Sequence, residues 1–345
     1  MLVLPTLALL LASLSSAARI DLLRDETSHD ASIEADMHYA LHKYAAIARN
    51  HYNKTGEHLD IVNLDYVDKL HANVQKRASG ETRLRRNKAW SGQIEVGFPP
   101  QKSLVVFDTG SADLFMDKSS YHPKLSLASK NLHKPFDFSY ASLHVYGDVY
   151  LDDVSIGGVK AKHVPIGHGS KDFDGDDTGG TFGLSFATAE NRVYGVEQDT
   201  FMWAAKKQHL IQSSTYQFTL RPRGKATLSV GKIDPFELGG LVTWSDKNTD
   251  KTFWRTTVEL NGNKMENAIL DTGTNVISGP KDRIKDIIDQ IDGMDVQELG
   301  DGAYQGTYDC RHPPKLEFKV LGQTFKLPEE ALNFGYAGDK CFSSI

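Results

Sequence analysis

A chain of 345 residues is longer than one compact unit, so two lobes with additional segments are the starting expectation. With 40% hydrophobic and 24% charged residues, the composition is that of a globular protein. The net charge of −6, and the lack of a Lys/Arg stripe interleaved with aromatics, argue against a nucleic-acid partner.

The first expected segment is a secretory signal over 1–17. Leu2 to Leu14 is almost wholly apolar and Ser15-Ser16-Ala17 offers small residues for cleavage, although no Lys or Arg precedes the apolar run. A membrane anchor needs about 20 apolar residues, and this run is shorter. The expectation is a secreted, extracellular protein with no stable membrane association.

Ala31 to Asn50 is predicted helical, with Ala40, Leu41, Tyr44, Ala45 and Ala48 on one face. Two dibasic sites follow, Lys76-Arg77 and Arg85-Arg86, in a polar stretch that includes Gly80. In a secreted protein such pairs invite cleavage by a kexin-type protease, so residues 18–86 are expected to be a propeptide, with the mature chain starting after Arg77 or Arg86. Six of the 13 histidines (His29, His38, His42, His51, His58 and His71) precede Arg77. That segment gains positive charge as pH falls from about 7 to 5. Asn53-Lys54-Thr55 is the sole Asn-x-Ser/Thr sequon.

From Trp90 the pattern changes. Gln93 to Val96 alternates, Gly97-Phe98-Pro99-Pro100 turns, and Leu104 to Phe107 reads as a buried strand. Phe136, Phe138 and Tyr140 alternate toward a turn, and Val149, Leu151, Val154 and Ile156 return from it. This predicts a long hairpin closed by Gly157-Gly158. Helices are predicted over Thr200–Leu210 and Asp282–Ile291; in the second, Ile284, Ile287, Ile288 and Ile291 repeat at i, i+3, i+4, i+7. The rest is short strands and turns, so the fold class is mainly β. Cys310 and Cys341 are the only cysteines. In an oxidising compartment they are most simply one disulfide, the alternative being two core thiols. No Cys-x-x-Cys or His-Glu-x-x-His spacing points to a metal. The acidic loop Asp172, Asp174, Asp176, Asp177 lacks the Glu that completes a calcium loop.

Asp-Thr-Gly occurs twice, each time behind an apolar run and before a hydroxyl residue: Asp108-Thr109-Gly110-Ser111 and Asp271-Thr272-Gly273-Thr274. Chance gives one such tripeptide in about one of 15 chains of this length, so two in matching contexts point to a duplicated unit. Two carboxylates brought together on strand-to-loop turns cannot both ionise easily and share a proton. The ionised one can take a proton from water while the protonated one donates to a scissile carbonyl.

With these motifs the chain resembles the pepsin-like aspartic endopeptidases from about Trp90 to Ile345. Gly97-Phe98-Pro99-Pro100-Gln101, Leu228 to Asp234, Phe253-Trp254 and Gly279-Pro280 match in order, besides the two tripeptides. The resemblance implies a bilobal fold, with an N-terminal lobe over 87–245 and a C-terminal lobe over 246–345. It implies hydrolysis of peptide bonds at acid pH by Asp108 and Asp271, a protein or peptide substrate, inhibition by the chain's own propeptide, no cofactor and a monomer. Thr109 and Thr272 would tie the two loops together. Ser111 and Thr274 would hold the outer carboxylate oxygens, with Gly110 and Gly273 permitting close approach. Tyr140 and Ser142 would belong to a flap over the substrate, and Cys310–Cys341 looks like the family's C-terminal disulfide.

Three departures stand out. The flap reads Tyr140-Ala141-Ser142-Leu143 where the family has Tyr-Gly-x-Gly, and Phe115 replaces a Trp whose ring N–H reaches the flap tyrosine. Thr181-Phe182-Gly183 backs the first catalytic loop, but the second finds no such segment before Ile345. An incomplete C-terminal lobe is therefore expected, with weak or absent activity of the 345-residue chain, because about 1 Å of misplacement can cost 100-fold in rate. The rival expectation is a non-catalytic peptide-binding member or an inactive fragment of the family.

Overall fold

The computed structural model describes residues 18–22, 33–59, 61–69, 89–140, 143–170, 178–186, 194–221, 226–238, 242–245, 252–299 and 302–345. The expected signal segment, both dibasic sites, the 172–177 acidic loop and the hairpin-tip residues Ala141 and Ser142 lie outside them. The elements are, in order, β1 (Ala18–Leu22), α1 (Ile33–Thr55), β2 (Ser91–Val96), β3 (Gln101–Asp108), β4 (Leu114–Met116), β5 (Lys130–Tyr140), β6 (Leu143–Ile156), β7 (Val159–Gly169) and β8 (Gly180–Gly183). Then come α2 (Phe201–Lys207), β9 (Tyr216–Thr219), β10 (Ala226–Val230), β11 (Arg255–Leu260), β12 (Asn263–Ile269), α3 (Lys281–Asp289), β13 (Met294–Glu298) and β14 (Tyr304–Asp309). The chain ends with β15 (Glu317–Val320), β16 (Gln323–Lys326), α4 (Glu329–Leu332), β17 (Asn333–Ala337) and β18 (Lys340–Ser343).

Two separate cores organise these elements. The first gathers the seven-stranded sheet β2-β3-β8-β4-β7-β6-β5 and the sheet β1-β10-β9 around Phe107, Phe182 and Phe201. Their rings meet at centroid distances of 5.5 Å each. The second is built by α3, whose Ile284, Ile287 and Ile288, with Ile291 just past its end, pack with Met294, Tyr308, Leu316 and Leu332. Its sheets run β12-β11-β15-β16 and β13-β14-β18-β17. Cys310 and Cys341 are bonded, with Cα atoms 5.0 Å apart, joining the end of β14 to β18. Closing a loop of this length stabilises by about 3–4 kcal/mol in the chain-entropy model.

The hairpin prediction needs one correction. β5 and β6 pair as far as Tyr140 opposite Leu143, whereas Gly157 and Gly158, at φ 53° and 92°, turn β6 into β7. Glycine suits that second turn because both positions are left-handed.

The first helix also differs from its pattern. α1 runs one turn further than predicted and stops at Gly56, whose φ of 75° and bond from its N–H to Tyr52 O (2.8 Å) close the helix end. It is buried on more than one face. Ala40, Ala45 and Ala48 are inside, and so are His38, His42, Lys43, Ile47 and His51. The reason is that α1 lies in a cleft, packed against β5 on one side and accepting through Asp36 a bond from Asn275, just past the second Asp-Thr-Gly turn. Among the described residues no helix is long and apolar enough to cross a membrane.

Candidate active site

β3 carries Val105, Val106 and Phe107 through the first core and delivers Asp108 at its end. β8 runs parallel beside it, with Asp108 opposite Gly183, and Leu184 N–H donates to Asp108 O (2.8 Å). On the other side β12 leads through Leu270 into Asp271, and Leu270 N–H donates to Trp254 O (2.9 Å).

The two turns are cross-tied. Thr109 Oγ1 donates to Leu270 O (2.7 Å) and accepts from Thr272 N–H (3.0 Å). Thr272 Oγ1 donates to Phe107 O (2.7 Å) and accepts from Thr109 N–H (3.1 Å). Each hydroxyl thus satisfies one backbone donor and one acceptor of the opposite turn. Each carboxylate is held the same way: Gly110 N–H and Ser111 Oγ on Asp108 at 2.8 and 2.6 Å, Gly273 N–H and Thr274 Oγ1 on Asp271 at 2.9 and 2.5 Å.

The glycines are explained by space rather than by backbone angle. Neither Gly110 nor Gly273 has a positive φ. A Cβ on Gly273 would stand 2.3 Å from Asp108 Oδ1, and one on Gly110 would stand 2.6 Å from the Asp271 carboxylate. Any side chain at either position would push the carboxylates apart.

A third charged group sits between them. Lys43 of α1 is fully buried, and its Nζ donates to Asp108 Oδ1 (3.1 Å) and Asp271 Oδ2 (2.5 Å). Tyr44, the next residue, donates its hydroxyl to Asp271 Oδ2 (2.7 Å) and sets its ring edge-on to Phe253 at 5.7 Å. The ammonium also lies 5.1 Å from the Tyr44 ring centre. Burial works against the charged form of Lys43, but the two carboxylates outweigh it and hold the ammonium above its ordinary range. Burial raises Asp108 to about 6, Lys43 opposing and the Asp271 charge adding to the rise. For Asp271 burial acts upward too, but the Lys43 charge and the bonds from Asp108, Lys43 and Thr274 hold it well below the usual carboxylate range. Below about pH 6 the balanced state is Lys43 charged, Asp271 ionised and Asp108 holding a proton.

Of the expected flap residues, Tyr140 ends β5 opposite Leu143, while Ser142 is outside the described residues. Phe115 fills an apolar cluster with Phe136, Val145, Val149 and Tyr194 behind that hairpin, its ring edge-on to Phe136 at 5.9 Å. Sequence reasoning missed Lys43 and placed Tyr44 only on a helix face. The available signal was a lysine set among alanines and aromatics in a segment proposed to block a site with two carboxylates.

The family described as "Eukaryotic aspartyl protease" matches residues 89–345. The chain is 34% identical over 310 residues to "Secreted aspartyl protease 1" of Malassezia globosa, covering 88% of this chain and 76% of that one. It is 29% identical over 289 residues to "Probable inactive secreted aspartyl protease" of the same organism, covering 79% and 73%. Chymosin of Callithrix jacchus is 25% identical over 297 residues, covering 77% and 74%. The chain belongs to the eukaryotic aspartyl protease family, the pepsin-like enzymes.

Proposed function

We propose that the protein is the zymogen of a secreted aspartic endopeptidase, with Asp108 and Asp271 as its catalytic dyad and residues 18–86 as its propeptide. The observation that carries this reading is the Lys43 ammonium, within 3.1 Å of Asp108 and 2.5 Å of Asp271. It occupies the place between the carboxylates where a water would otherwise bridge them. When α1 withdraws, that water is the nucleophile. The ionised carboxylate takes its proton, the protonated one donates to the scissile carbonyl, and a gem-diol forms. Collapse with proton transfer to the amine releases the products.

The charge state sets the pH behaviour. Asp271 is depressed, so its tie to Lys43 contributes to docking fully above the ordinary carboxylate value and is lost as pH falls through the lowered one. Burial raises Asp108 to about 6 while the Lys43 charge opposes the rise, so protonating Asp108 as pH falls through 6 weakens its own pull on Lys43 and leaves the tie to Asp271. The Lys43 contact therefore holds through mild acid, and cutting the propeptide is the step that commits it to leave.

Replacing Lys43 tests this. A Lys43→Met zymogen is expected to bind a statine-containing peptide, whose hydroxyl mimics the gem-diol, in mild acid where the uncut parent does not. Equal exclusion of the peptide from both proteins would refute the masking role. Failure of the processed parent to bind it at all would favour the non-catalytic reading, which the relative named as inactive keeps in view.

A further inference from the structure

The proposed propeptide meets the first lobe at a second place besides the dyad. β1 pairs along its whole length with β10, from Ala18 opposite Val230 to Leu22 opposite Ala226. Ala18, Ile20 and Leu22 belong to the first core. Two glycines make room for the strand. A Cβ on Gly92 would come within 3.1 Å of Ile20 Cγ2, and one on Gly157 within 2.9 Å of the Ala18 Cβ. On the outer face Arg19 donates to Glu237 Oε1 (2.7 Å) and lies 3.6 Å from Asp234 Oδ2. This is strand addition in which backbone bonds supply the grip and alternate side chains supply the fit.

Cleavage after Arg77 or Arg86 would sever β1 from the enzyme, and the new N-terminal stretch is a poor substitute. Cleavage after Arg86 removes residues 78–86 altogether. After Arg77 the available text is Ala78-Ser79-Gly80-Glu81-Thr82-Arg83-Leu84-Arg85-Arg86. Setting Leu84 at the Ile20 seat buries Arg86 where Leu22 now lies. A buried unpaired charge is costly. Setting Leu84 at the Leu22 seat leaves Gly80 and Thr82 for Ala18 and Ile20. It also puts Glu81 where Arg19 now faces Asp234 and Glu237. The frame starting at Ala78 fills the Ile20 and Leu22 seats with Gly80 and Thr82 and leaves voids.

We infer that residues 18–22 remain bound to the mature enzyme as a separate peptide strand after the propeptide is cut. The inference rests on the propeptide reading above. While that strand stays continuous with α1, Lys43 returns to the dyad by an intramolecular step at high effective concentration. A cut anywhere between β1 and α1 would end that return and leave β1 in place.

The test is to process the zymogen with a Lys-Arg-specific protease, acidify it, isolate the folded enzyme by gel filtration, and weigh its components by denaturing mass spectrometry. The expected result is a large chain starting at Ala78 or Asn87 with one peptide beginning at Ala18 and containing 18–22. A folded, active large chain free of that peptide overturns the inference and leaves the propeptide reading intact. A single chain still starting at Ala18 overturns both. Ile20→Asp is expected to abolish retention and lower the melting temperature of the processed enzyme. Arg19→Glu, which keeps the buried pattern in case the first variant fails to fold, is expected to lower peptide occupancy several-fold. Unchanged occupancy in Arg19→Glu would overturn the account of the seat.

Discussion

The two Asp-Thr-Gly turns hold the same hydrogen bonds but stand on different ground. Phe107, before Asp108, is fully buried, whereas Leu270, before Asp271, is 50% exposed. β3 is flanked by β2 and by parallel β8. β12 is an edge strand, paired among the described residues only with β11. Asp108 thus leaves a strand flanked on both sides, while the strand before Asp271 is flanked on one side among the described residues, and the cross-ties add to its support. α1 weights this further, since Asp271 Oδ2 accepts from both Lys43 and Tyr44 and Asp108 from Lys43 alone. The difference teaches that matched active-site geometry does not require matched scaffolds. The helix proposed to mask the site also bonds more to its less supported half.

The chemistry should erase this asymmetry. Asp108→Asn and Asp271→Asn in the processed enzyme are each expected to reduce peptide hydrolysis by at least about 100- to 10,000-fold, read as kcat/KM. If one variant retained most of the parent rate, the pair would not act as a dyad. Stability should restore the contrast. Phe107→Ala is expected to cost about 3–5 kcal/mol in chemical denaturation, and Leu270→Ala less than about 1 kcal/mol. Similar losses would mean that the second turn is as well supported as the first. Finer still is the comparison of Thr109→Val with Thr272→Val. Each removes a hydroxyl that serves one carbonyl and one N–H, at about 1–3 kcal/mol. A smaller loss for Thr109→Val would show that its partners, Leu270 O and Thr272 N–H, recover water more easily on the exposed side.

The sequence was most readable where one residue type has one physical use. The Asp-Thr-Gly pair, the isolated cysteines and the isoleucine spacing of α3 each led to the contact they imply. It was less readable where function depends on what a segment lies against. Gly157-Gly158 signals a turn, but only strand pairing tells which two strands it joins. The helical period of 31–50 is clear, yet burial of Lys43 and His51 as well as the alanines comes from the cleft around the helix. A lysine on a helix is ordinarily solvated. The setting of Lys43 among alanines and aromatics is a local hint, but the two carboxylates this lysine meets are 65 and 228 residues away.

The bare Cα positions of Gly110 and Gly273 have a consequence for how such a molecule can change. Each turn is moulded to the carboxylate of the other, within 2.6 and 2.3 Å of where a methyl would stand. Neither half carries the instructions for its own shape; each is the other's template. A change in one turn therefore cannot be absorbed locally and must be answered across the cleft. The two halves are free to diverge everywhere else in sequence and in scaffold, and they remain bound to move in step at these few atoms.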